Sequence, residues 1–233
     1  MPPTLQHSIN LSGKTALITG ATHIPGLQIA RALGEAGARL MLSDRQPDAL
    51  EAACADLQAS GLDARWVAAD GALQADLHKL VSETLQRMGD VDILVNGAGA
   101  SCEAPTVDPV QTWDQLMALT VRGSFLLSQL VGQHSMLVRG GRIINLLPTA
   151  GQSDPALNLA GATARGAVIH ATQALAAQWQ CHRITVNAVS WGESQEAGES
   201  LQGITVLLAS DAGAFVTGQC FTAASPVCYK VQP

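Results

Sequence analysis

The sequence predicts an α/β fold, one Rossmann-type domain on a doubly wound parallel sheet, from three observations. Short apolar, β-rich runs alternate with longer helical patterns along the chain. Those runs are continuously apolar rather than alternating, as in strands buried on both faces of a parallel sheet. No linker, low-complexity stretch or second composition interrupts the pattern over 233 residues, a length that suits one sizeable domain with a full core.

The elements follow in order. A strand is expected at 14–19 (KTALIT), then a glycine-rich turn and a helix over 26–36. Strands at 38–43 (ARLMLS) and 64–69 (ARWVAA) are followed by helices over 47–59 and 73–88. The strand at 91–96 (VDILVN) precedes a helix over 108–132, and the strand at 141–147 (GRIINLL) a helix over 157–180. The strand at 183–190 (RITVNAVS) leads to a helix over 201–210, and the strand at 219–223 (QCFTA) closes the set. Repeated βα units of this kind build a doubly wound sheet. The domain is read as 1–233, with 1–10 a lead-in and 227–233 a tail.

Hydrophobic residues make up 47% and charged residues 14%, apolar enough to suggest further surface buried in an oligomer. No window of 18 uncharged apolar residues occurs, so no membrane partner is expected. The opening MPPTLQHSINLSGK has no signal-peptide pattern, so the expected location is cytoplasmic. A net charge of −6 without a basic patch argues against nucleic acid. Cys54, Cys102, Cys181, Cys220 and Cys228 have no C-x-x-C spacing and are read as free buried thiols; with six scattered histidines, no metal site is expected. The single tyrosine, Tyr229, lies in the tail.

The first strand runs into Thr19-Gly20-Ala21-Thr22-His23-Ile24-Pro25-Gly26. A glycine-rich turn before a helix can cradle a pyrophosphate on backbone N–H groups. Asp44, ending the second strand, stands where an acid can hydrogen-bond a ribose hydroxyl. Asp70 follows the third strand and Asn96-Gly97-Ala98-Gly99 the fourth. With G-R-I-I-N at 141–145, R-I-T-V-N-A-V at 183–189 and L-A-S-D-x-x-x-x-x-T-G-Q at 208–219, the chain resembles the short-chain dehydrogenase/reductase family from about residue 11 to 226.

The resemblance implies dimers or tetramers and a catalytic tyrosine, lysine, serine and asparagine. Those positions fall at Gly161, Arg165, Pro148 and Thr120, and all four are changed. Thr149 and Ser153 are the hydroxyls nearest the serine position, and Ser153/Asp154/His170 is the only alternative nucleophile set. The family's middle turn glycine is Ile24, whose β-branch resists positive φ, and Pro25 behind it lacks a donor. The lid after the sixth strand is essentially deleted, because Ser190-Trp191-Gly192 leads to a helix near Leu201, and Ser225-Pro226 replaces a glycine pair.

The resulting expectation is a non-catalytic subunit of a heteromeric NAD-dependent short-chain alcohol dehydrogenase. No cofactor is expected in this chain, Gly20, Ile24, Gly26, Asp44, Asp70 and Asn96 being vestigial, and NAD is expected in an active partner subunit. The two would meet through helices 108–132 and 157–180, centred on the alanine-rich stretch from Ala160 to Ala171. A dinucleotide-binding regulatory module, or an atypical oxidoreductase active by itself, remain the alternatives.

Overall fold

The computed structural model describes residues 8–98, 109–148, 155–191 and 195–223. Seven parallel strands form one sheet in the order β3-β2-β1-β4-β5-β6-β7. They are β1 (Thr15–Thr19), β2 (Arg39–Asp44), β3 (Ala64–Ala68), β4 (Ile93–Asn96), β5 (Gly141–Pro148), β6 (Ile184–Trp191) and β7 (Cys220–Ala223). The winding moves outward from β1 to β3, then restarts at β4 on the other side of β1. Chain connections diverge there, which leaves a crevice beyond the C-terminal ends of β1 and β4.

The helices are α1 (Ile24–Glu35), α2 (Pro47–Ala59), α3 (Gln74–Met88), α4 (Pro109–Leu116), α5 (Ser124–Val131), α6 (Pro155–Trp179) and α7 (Gln195–Ala209). Prolines in the first turns of α1 and α2 suit positions where an N–H has no helical acceptor. Gly89 ends α3 at φ 89°, a conformation that other residues adopt only with strain.

Burial explains the continuous apolar runs. Neighbours on one strand point to opposite faces, so Ile18, Leu40 and Leu42 pack with Ile29, Leu33 and Leu57 on one side. Leu17, Met41 and Leu94 pack with Leu80, Leu127 and Trp179 on the other. Each fully buried aliphatic side chain contributes about 1.5–3 kcal/mol relative to exposure.

Three expectations need correction. The helix expected over 108–132 is α4, a π segment (Met117–Gly123) and α5, followed by a second π turn (Gly132–Met136). Close approaches accompany the wider turns: a Cβ on Gly123 would lie 2.3 Å from the Gly71 carbonyl oxygen, and one on Gly132 would lie 3.0 Å from Trp179. The last helix starts at Gln195 rather than 201, three residues past the end of β6. The cysteines are not uniformly buried, since Cys54 is buried while Cys181 and Cys220 are exposed. Cys102 and Cys228 lie outside the described residues.

The small-residue stripe of α6 also behaves differently from expectation. Ala160 and Ala164 are 3% and 2% exposed, packed within the chain against Leu116, Met117 and Val121. Val168 packs on Leu147 and Ala188. These side chains let α6 lie close to its own neighbours, so they are not the centre of an exposed face. Leu159, Ala162, Thr163 and His170 face outward instead. Among the described residues, no helix is long and apolar enough to cross a membrane.

Candidate active site

The crevice is built first from backbone. Gly20 has φ 67°, and a Cβ there would lie 2.5 Å from the Gly97 carbonyl oxygen. A Cβ on Gly26 would lie 2.2 Å from the Gly20 carbonyl oxygen. The turn after β1, the start of α1 and the loop after β4 therefore meet with no side chain between them. Thr19 ties this corner, its Oγ1 accepting hydrogen bonds from the Gly97 and Ala98 amides at 3.1 and 3.3 Å.

Ile24 does not strain the turn as expected. It is the first residue of α1, and Arg183 is the only non-glycine residue with positive φ among the described residues. Its side chain is 74% exposed. Pro25 lies in the first helical turn, where backbone N–H groups lack intrahelical partners in any case. One donor is lost there, while the helix N-terminus still fronts the crevice.

The acidic and amide residues keep defined places. Asp44 Oδ2 accepts from Thr22 Oγ1 at 2.6 Å and from the Thr22 amide at 3.3 Å, and Oδ1 accepts from the Arg45 amide at 2.7 Å. A carboxylate offers about four acceptor sites, so one is left for a ligand hydroxyl. Asp70 Oδ1 accepts from the Ala72 amide at 2.8 Å, and the Asp70 amide donates to Asp76. Buried Asn96 donates to Ser128 at 3.1 Å and to Asn145 at 2.8 Å, and Asn145 donates to Thr172 on α6 at 2.8 Å. Asn96 thus braces β4 against β5 and α6, and its Oδ1 has no partner among the described residues.

The four changed positions lie on three elements around the sheet's C-terminal edge. Thr120 sits in the π segment, 5% exposed, its hydroxyl without a partner among the described residues. That segment packs on α6 around Ala160 and Ala164, which bracket Gly161. A Cβ on Gly161 would meet nothing within 4 Å among the described residues. One turn on, Arg165 donates to the buried Ser190 hydroxyl on β6 at 2.7 Å. Pro148 ends β5 in register with Trp191.

His170 is exposed on α6, its Nδ1 2.9 Å from the Gly166 carbonyl oxygen. Thr149, Ser153, Asp154, Ser225, Pro226 and Tyr229 lie outside the described residues. Trp191, which the sequence did not single out, has an indole N–H buried without a partner among the described residues. The available signal was a large residue with a polar edge where the family has proline.

The sequence pattern of the short chain dehydrogenases matches residues 14–197. The chain belongs to the short-chain dehydrogenase/reductase family. It is 30% identical to gluconate 5-dehydrogenase of Gluconobacter oxydans over 90% of this chain and 93% of that one. It is also 30% identical to NAD-dependent glycerol dehydrogenase of Listeria innocua, over 90% of this chain and 92% of that one. The crystal structure of gluconate 5-dehydrogenase from Burkholderia cenocepacia, in complex with NADP and tartrate, superposes with a TM-score of 0.82. The two chains are 29% identical over 94% of this one and 96% of the other.

These findings overturn the expectation of a chain without a cofactor. Full-length relatives of this short-chain dehydrogenase/reductase include one named for its NAD dependence and one holding NADP. The physical reason is in the turn. Ile24 was expected to resist the positive φ of a turn glycine, whereas it opens α1 without positive φ and its side chain is exposed.

Proposed function

We propose that this chain binds a nicotinamide dinucleotide and works as an atypical short-chain oxidoreductase on an alcohol or ketone. The observation that carries the reading is the side-chain-free corner of Gly20, Gly26 and Gly97, with Asp44 held beside it by Thr22. Gly20, Gly26 and the α1 N-terminus would hold the pyrophosphate, and Asp44 the adenosine ribose. A carboxylate at that place repels a 2′-phosphate, so NAD is the favoured form. The dinucleotide supplies hydride transfer when bound.

The chain's own residues supply electrostatics rather than a titrating phenol. The Arg165 guanidinium would stabilise developing negative charge on a substrate oxygen. Ser190 fixes its guanidinium. Among the described residues of this region, the Asn96 Oδ1, the Thr120 hydroxyl and the Trp191 indole N–H have no partner. The gluconate and glycerol dehydrogenases among the relatives make polyols and sugar acids the first substrates to try. Calorimetric titration with NAD is the test. A dissociation constant near or below about 100 μM, roughly −5.5 kcal/mol, is expected. Absence of binding at millimolar NAD would overturn the reading.

A second reading draws on the open space at Gly161. A site without its phenol suits a non-catalytic subunit paired with an active family member, through the outer faces of α4, α5 and α6. Val110, Phe125 and Leu159 are exposed there by 66%, 47% and 68%. The narrower form of this reading is the non-catalytic subunit of 2-(hydroxybenzyl)succinyl-CoA dehydrogenase from anaerobic toluene degradation. It rests on the combination of lost elements alone, and no residue of the site selects a CoA thioester.

A further inference from the structure

At the other end of the sheet, the N-terminal ends of β5 and β6 border a cavity of about 540 Å³. That volume lies in the range of small-molecule sites. Lys14, Arg139, Arg142 and Arg183 line it, against Asp92 and Asp211. The chain as a whole carries −6, so this is a local reversal of charge.

Most of these charges are already committed. Asp92 lies 3.6 Å from Lys14 and accepts from the Thr15 amide at 2.9 Å. Asp211 faces Arg142 at 3.3 Å, and Arg139 pairs with Asp90. Arg183 has no ion pair or side-chain hydrogen bond among the described residues.

Arg183 is also the one non-glycine residue at positive φ, 57°, among the described residues. It ends the 3-10 turn Gln180–His182 in this conformation, which glycine takes without strain, and leaves the arginine side chain exposed at the cavity. Its backbone is held in place: the carbonyl oxygen accepts from the Gly141 amide at 3.3 Å and from Arg142 at 3.5 Å.

A third, independent feature is Thr185, paired in register with Arg142 on the neighbouring strand. It lines the cavity and is 6% exposed, and its hydroxyl has no partner among the described residues. A buried hydroxyl left unpaired is costly, and a ligand oxygen would satisfy it.

We propose that this cavity binds a phosphate dianion carried by a small metabolite, with Arg183 as its ionic partner and the Thr185 hydroxyl as a neutral donor. The guanidinium fork matches two phosphate oxygens at once. The space left over accommodates the body of a metabolite. The site is independent of the dinucleotide crevice, which opens at the opposite edge of the sheet.

The test is calorimetry with inorganic phosphate and with glycerol 3-phosphate, on the wild type, Arg183→Gly and Thr185→Val. Binding at millimolar concentration or tighter is expected for the wild type. Arg183→Gly should weaken it at least about tenfold while raising the melting temperature without phosphate, because the strained φ is relieved. Thr185→Val should weaken it less, again without loss of stability. Tighter binding of glycerol 3-phosphate identifies a phosphomonoester as the ligand. Equal binding identifies the free ion, and both results support the site. No heat with either probe up to about 10 mM, or wild-type affinity in Arg183→Gly, would overturn it.

Discussion

Asp44 and Gly161 carry the sharpest residue-level consequences. Replacing Asp44 by alanine removes a charged acceptor from the proposed ribose site. NAD affinity should fall about 10- to 150-fold, corresponding to about 1.5–3 kcal/mol, while NADP loses less. Parallel titrations of the two dinucleotides check this. Gly161 stands mid-helix, and a Cβ there meets nothing within 4 Å among the described residues, so the double change Gly161→Tyr with Arg165→Lys should fold, at the cost of the Arg165–Ser190 hydrogen bond. A restored phenol beside an amine should raise turnover about 10²- to 10⁴-fold, the usual worth of general acid–base catalysis. Initial rates on glycerol and gluconate measure it. At this scale the sequence exposes what is local. Gly20, Asp44 and Asn96 are legible because each ends or directly follows a strand. The helical φ of Ile24 and the orphan indole of Trp191 are not, since both depend on how distant segments pack.

For whole elements, the strands are legible to within two residues because burial on both faces leaves a contiguous apolar signature. The π segments escape it: a wider turn shifts the helical phase without changing composition, and its cause lies in distant contacts such as Gly123 on Gly71. The same limit misplaced the stripe on α6. Small residues allow close packing, but their spacing does not say whether the neighbour belongs to the same chain. Ala164 packs on α4 and the π segment, so Ala164→Glu should unfold the chain rather than merely split an assembly. Burying an unpaired charge costs several kcal/mol. A large fall in melting temperature, read by circular dichroism, is the expected result.

Across the whole molecule, Ala162 offers the complementary experiment because it faces outward on the same helix. Ala162→Glu should leave stability within about 0.5 kcal/mol of the wild type, with little change in melting temperature. If the outer faces of α4, α5 and α6 join subunits, it should also lower the mass found by light scattering. A wild-type monomer at micromolar concentration would remove the oligomer.

The three-residue interval between β6 and α7 has a kinetic meaning. From Trp191 to Gln195 an extended chain spans about 14 Å, too little to build a flap that swings over a ligand. If this connection adds no flap, residence time at the crevice is set by direct contacts, with no opening step of this segment to wait for. Stopped-flow mixing with NAD should give one exponential whose rate climbs linearly with concentration, without the plateau that a slow isomerisation imposes. Release of a bound dinucleotide would be correspondingly prompt.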